Sequence, residues 1–173
     1  MKTVLVTGGA GYIGSHAAKA LSGEYDVVVL DDLSRGHARA VQWGPLIRGD
    51  IADRQLLDRL FDRYSVHAVM HFAAESLVGE SMSHPLRYFR RNVSGTITLL
   101  EAMLAHGVKT IVFSSSAAVY GEPETVPISE DHVKSPVNPY GRTKLMVENI
   151  LEDCRTIHGL SYATLRYFNA AGA

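Results

Sequence analysis

Tyr140 and Lys144 stand four residues apart in the stretch Pro139-Tyr140-Gly141-Arg142-Thr143-Lys144. If that stretch opens a helix, the two side chains share one face and their heads can meet. A tyrosine of ordinary pKa, near 10, is about one part in a thousand phenolate at neutral pH, and bringing it near 7 takes roughly 4 kcal/mol of preference for the anion. One ammonium about 4 Å away, at an effective dielectric of about 20, supplies about that much before desolvation costs. The pair can therefore form a general base. Upstream, Ser114-Ser115-Ser116 follows the apolar strand pattern at 109–113. Hydroxyls at the C-terminal end of a parallel strand face the crevice where open α/β sheets bind ligands. Tyr-x-x-x-Lys also arises by chance and serine runs also make plain turns, so the surrounding elements must decide.

The first of those elements is a strand, Thr3-Val4-Leu5-Val6, closed by Thr7-Gly8-Gly9-Ala10-Gly11-Tyr12-Ile13-Gly14, which opens a helix over 13–22. Gly8, Gly11 and Gly14 suit a tight turn off the strand, backbone approach to a pyrophosphate and close helix-to-strand packing. The phosphates would sit at a helix N-terminus, where unpaired N–H groups and the helix dipole favour an anion. A second strand at 26–30 runs into Asp31 and Asp32, and Asp31 lies 17 residues past Gly14. That is close to the interval at which an acid bonds the adenosine ribose, and an acid there favours NAD over NADP. Arg35, which could take a 2′-phosphate, weighs the other way.

The remaining pattern repeats strand and helix. Strands are expected at 46–51, 67–74, 109–113 and 161–168, with Asp50 and Ile51 at the crevice end of the first of these. Helices are expected at 53–64, capped by Asp53, at 85–106, and from Tyr140 to a stop at Gly159. The segment 122–139, with four prolines, reads as a loop that could cover a site. Arg87, Arg90 and Arg91 read as a solvated helix face, and Asn92, near Gly95, as an amide in need of a partner. His67 and His71 share strand parity but have no third ligand, so no metal site is expected. The whole reads as an α/β doubly wound parallel sheet with helices on both faces.

Composition narrows the function. The 173 residues are 46% apolar and 20% charged with a net charge of -1, which suits one ordinary domain and gives no reason to expect nucleic acid. Lone Cys154 precludes an internal disulfide and fits a reducing compartment, and no run is long enough for a signal peptide or a membrane span, so a cytoplasmic protein is expected.

Four motifs in order, TGGAGYIGSH, SSSAAVYG, PYGRTK and LRYFNAAGA, resemble the extended short-chain dehydrogenase/reductase family and, within it, the UDP-galactose (UDP-glucose) 4-epimerases. The resemblance covers essentially the whole chain and implies a Rossmann-like NAD-binding domain over 1–173. It implies NAD contacts at Tyr12, Ile13, Asp31, Asp32, Leu33, Ser34, Arg35, Gly36, Asp50 and Ile51. Further contacts are implied at Phe72, Ala73, Ala74, Ser76, Asn92 and Phe168. Ser76 replaces the lysine some members carry. Ser116 and Tyr140 resemble the family's catalytic pair, Lys144 its ribose and tyrosine partner, and Asn169 its first UDP-sugar contact, with Ser116 and Tyr140 also touching the sugar. The implied chemistry passes a hydride from sugar C4 to NAD and back to the other face of a 4-keto sugar. Related 4,6-dehydratases are the close alternative, but they place an acid where this chain has Ala117 and Ala118. Family members continue into a smaller substrate domain absent from this chain. The isolated polypeptide is therefore expected to turn over poorly, or to be a non-catalytic NAD-binding module. The helices 85–106 and 140–158 resemble those that pair subunits, which implies a homodimer.

Overall fold

The computed structural model describes residues 1–172; Ala173, the last residue of the closing motif, lies outside the described residues. Six parallel strands form one sheet in the order β3-β2-β1-β4-β5-β6. They are β1 Thr3–Thr7, β2 Asp26–Asp31, β3 Leu46–Arg48, β4 Val66–His71, β5 Thr110–Ser114 and β6 Ser161–Leu165. The helices are α1 Tyr12–Leu21, α2 Arg54–Tyr64, α3 Val78–Ser83, α4 Pro85–Tyr88, α5 Gly95–Ala105 and α6 Pro139–His158. Strand parity sends Leu5, Val28, Leu30, Val69 and Ile111 onto a core with Leu57 and Phe61 of α2, Leu99 and Met103 of α5, and Val147 and Leu151 of α6. Val4, Val6, Val27 and Val29 point the other way, onto Ala18 of α1. Chain progression reverses direction between β1 and β4, and an open α/β sheet splits into a ligand crevice at such a point. This is the Rossmann-like fold.

Sequence signals set the helix ends. Asp53 accepts from Leu56 N at 3.0 Å at the start of α2, and Asn138 accepts from Gly141 N at 2.8 Å at the start of α6. Gly159 ends α6 at φ +68°, a left-handed turn that glycine enters without a Cβ penalty.

The departures lie at crevice ends. β3, β4 and β6 stop at Arg48, His71 and Leu165, short of the expected 51, 74 and 168, because the chain leaves the sheet there to line the crevice. The helix expected at 85–106 is continuous from Pro85 to Ala105 but π-helical over Phe89–Ser94, a wider turn that occurs mostly at functional sites. Asn92 lies in that wide turn. Its Oδ1 accepts from Glu75 N at 2.8 Å, and its Nδ2 donates to Glu75 O at 3.0 Å and to Thr143 Oγ1 at 3.1 Å. The histidines behave as expected of satisfied side chains. His71 is bonded by Thr7 Oγ1 at 2.7 Å and Thr96 Oγ1 at 2.9 Å, and His67 accepts weakly from Thr3 N at 3.4 Å, where the β1–β4 register steps.

Candidate functional site

A cleft of about 400 Å³ crosses the C-terminal ends of the strands. At its centre the glycine turn leaves β1. Gly8 has φ +72°, and a Cβ there would lie 2.5 Å from Ala73 N, in the chain leaving β4. A Cβ on Gly14 would run into the Gly8 carbonyl and lie 2.8 Å from Gly9 Cα, while Gly11 N bonds Gly8 O at 3.2 Å. No side chain caps the N-terminus of α1, so the leading amides of the helix, around Tyr12, Ile13 and Gly14 on the cleft wall, are left for an anion.

Beyond β2 lies an acidic end. Asp31, nearly buried, accepts from Ala10 N at 2.9 Å and from Leu33 N at 2.8 Å, so it ties the β2 loop to the glycine turn. Gly36 packs on Ala10, and His37 N bonds Ala10 O at 2.9 Å. Burial pushes the Asp32 carboxyl up, but the hydroxyl and amide of Ser34, together with Arg91, outweigh it and hold the group below its ordinary pKa. Arg91 Nη1 donates to Asp50 at 2.6 Å and to Asp32 at 3.2 Å. Arg87 pairs with Glu75, and Arg35 Nη2 donates to both oxygens of Glu80 at 2.6 and 2.7 Å. Arg87 and Arg91 are therefore not the merely solvated face that helical spacing suggested; each pairs with acids on neighbouring loops, Arg91 from within the wide turn and Arg87 from the turn before it.

At the other end, beyond β5, stand Ser114, Tyr140, Lys144 and Tyr167. Lys144 is buried; its Nζ donates to Ser114 O at 2.8 Å and lies 4.9 Å from the Phe113 ring centre and 5.7 Å from that of Tyr140. Burial pushes the ammonium down to about 7. Burial also raises the Tyr140 phenol, the nearby Tyr167 adds to that, and a hydrogen bond with Ser116 works the other way. The desolvation cost therefore offsets the pull of the ammonium on the phenol. The amine is itself half neutral there, and desolvation acts on both groups against charge.

The cleft brings together nearly all the expected residues. Gly8, Gly11, Tyr12, Ile13 and Gly14 line its centre; Asp31, Asp32, Ser34, Arg35, Gly36, Asp50 and Ile51 line one end; Phe72, Ala73, Ala74, Ser76, Ser114, Tyr140 and Lys144 line the other. Five stand outside it. Leu33, at φ +62°, turns the β2 loop, and Asn92 is spent on Glu75 and Thr143. Ser116 Oγ accepts from Ala118 N at 3.2 Å, and its hydroxyl is near enough to Tyr140 to lower the phenol. Phe168 is 70% exposed, and Asn169 is exposed beside it. Sequence reasoning missed Tyr167, which hydrogen-bonds Ser114, and Gly49. Tyr167 was findable, since it follows β6 as Ser114 ends β5.

The model of the NAD dependent epimerase/dehydratase family matches residues 4–173. The chain belongs to that family. It is 55% identical over 172 residues to the UDP-glucose 4-epimerase of Halalkalibacterium halodurans, covering 98% of this chain and 51% of that protein. With the UDP-glucose 4-epimerase of Rhizobium meliloti it shares 52% identity over 171 residues, covering 98% of this chain and 52% of the relative. Among solved structures, UDP-glucose 4-epimerase from Brucella ovis in complex with NAD superposes with a TM-score of 0.98 at 50% identity, over 100% of this chain and 54% of that one. The Stenotrophomonas maltophila enzyme, with bound NAD and formylated UDP-arabinopyranose, gives 0.96 at 45% identity, over 100% and 55%. The chain spans about half the length of the curated relatives it matches. A family cofactor fits the residues present: the uncapped N-terminus of α1 opens onto the cleft, and the turn that presents it packs so closely that a Cβ at Gly8 or Gly14 would strike neighbouring backbone.

Proposed function

We propose that this chain is the NAD-binding and proton-transferring part of a UDP-glucose 4-epimerase, a homodimeric cytoplasmic isomerase interconverting UDP-galactose and UDP-glucose. The observation that carries the reading is one cleft with an anion-binding glycine turn at its centre and Tyr140 with Lys144 at one end. As its phenolate Tyr140 would take the proton of the sugar 4-hydroxyl and as the phenol would later return it, with the Ser116 hydroxyl favouring the anion. Lys144, anchored on Ser114 O, fixes the floor beneath both. Bound NAD would supply a reversible hydride acceptor for sugar C4, so that no net oxidation results. Arg35, the side chain that could receive a 2′-phosphate, is turned from the Asp31–Asp32 end toward Glu80 of α3, which supports NAD over NADP. Exposed Leu86, Ile97, Met146 and Ile157 on α4 to α6 support pairing of those helices between subunits, and light scattering of the protein should give a dimer.

The test has two arms. Titration of the 173-residue chain with NAD and NADP should show saturable binding that favours NAD. The chain alone should form little UDP-glucose from UDP-galactose, whereas fusion to the second half of the Halalkalibacterium relative should restore turnover that Tyr140→Phe abolishes. A fusion that binds NAD yet does not epimerise would refute the assignment.

A further inference from the structure

Three cations line the cleft: Arg35, Arg91 and Lys144. Two are committed at its ends, Arg91 to Asp32 and Asp50, and Lys144 to Ser114 O beside Tyr140. Arg35 starts from the Asp32 end, and its side chain reaches across to Glu80. Gly36 and His37 pack its loop onto Ala10 of the glycine turn. Glu80, its partner, belongs to α3 beyond β4, so the pair joins the loops that follow the two strands flanking β1. It therefore passes over the C-terminal end of β1, where the turn begins. Only Nη2 is engaged with Glu80, and the other guanidinium N–H groups make no hydrogen bond among the described residues. Behind it, Glu75 Oε2 is buried without a hydrogen-bond partner and lies 3.7 Å from Arg35, so a second acid draws the guanidinium toward the same wall.

Resting on the NAD reading above, we propose that Arg35 is the cation that binds the dinucleotide pyrophosphate, aimed over the glycine turn by Glu80 on the opposite wall. The helix N-terminus supplies backbone donors from below, and Arg35 supplies a planar charged fork from above, the geometry that suits two phosphate oxygens. Glu80 acts as a positioning residue: it touches Arg35 rather than the cofactor, and its bond spans the cleft.

The test is calorimetric titration of the full chain with ADP-ribose and, separately, competition by adenosine, which lacks the pyrophosphate. Arg35→Ala should weaken ADP-ribose by about tenfold or more, leave adenosine within about twofold, and lower the steepness with which added salt weakens ADP-ribose. Glu80→Gln should weaken ADP-ribose by several-fold, less than Arg35→Ala, and have no further effect in the Arg35→Ala background. Arg35 is half exposed, so both variants should melt like the parent. Equal loss for adenosine and ADP-ribose, or an Arg35→Ala protein within twofold of the parent, would overturn the proposal and leave the NAD reading standing. A parent chain that binds neither NAD nor ADP-ribose would overturn both.

Discussion

Replacing Lys144 by methionine should make the protein more stable at neutral pH while weakening its site. The ammonium is 3% exposed, and burial lowers its pKa from 10.5 to about 7. Below pH 7 folded and unfolded chains both hold the proton, and the full penalty of the buried charge applies. Between pH 7 and 10.5 only the unfolded chain holds it, so stability rises with pH across that window. The penalty is about 4 kcal/mol at pH 7, and about 2 kcal/mol of it is relieved by pH 9. Methionine keeps the stem and removes the charge, but leaves Ser114 O without the 2.8 Å donor, a loss of about 1–3 kcal/mol. Lys144→Met should therefore gain about 2 kcal/mol at pH 7 and show no advantage at pH 9. Tyr140, Tyr167 and Cys154, all pushed up by burial, titrate in both proteins and cancel in the comparison. Urea denaturation followed by circular dichroism at the two pH values measures the difference. A variant less stable than the parent at pH 7, or an equal gap at both pH values, would show that Lys144 is not buried as described.

The same reasoning gives three more outcomes. Asn92→Ala leaves Glu75 N and O unpaired in a buried turn and should cost about 3 kcal/mol in urea denaturation. Gly14→Ala drives a methyl into the Gly8 carbonyl, should cost about 1–3 kcal/mol, and should abolish NAD binding in the same titration that the parent passes. His71 is buried neutral with its pKa lowered by burial, and by Lys144, from 6.5 to about 3. Only the unfolded chain takes up that proton between those values, so stability should fall as pH drops through the window, and His71→Gln should flatten the decline in acid-titration melts.

How much of this was legible in the residues depended on the range of the interaction. β1, the glycine turn, Asp31 and the caps at Asp53 and Gly159 are local devices, each set by side chains within a few positions, and each stands where the spacing put it. The crevice ends of β3, β4 and β6 were overextended, because apolar alternation continues past the point where ladder partners stop. The pairing of Arg87 and Arg91 is not legible from helical spacing for a related reason: their partners Glu75, Asp32 and Asp50 lie on loops distant in sequence, and Arg91 sits in the π-helical turn at Phe89–Ser94. The short helix α3, with Gly79 in its first turn and no apolar period, carried no signal at all. Glu80, which rides on it, could not be connected to Arg35, 45 residues away, without coordinates.

Desolvation decides the charge at the base. Arithmetic at an intermediate dielectric lets one ammonium hold one phenolate, but the structure buries both, and burial raises Tyr140 while lowering Lys144. Near neutral pH the phenol then keeps its proton while the amine is about half charged, and the site carries no isolated buried anion. Tyr140 can ionise only against a further positive charge placed beside it. The proposed function therefore requires its titration to depend on the redox state of the nucleotide: tyrosinate absorbance should appear at lower pH with cationic oxidised NAD than with reduced NADH, and the difference should vanish in Tyr140→Phe. Identical titrations with the two forms would mean that Lys144 and Ser116 suffice, and that burial at this end of the cleft is weaker than the geometry gives.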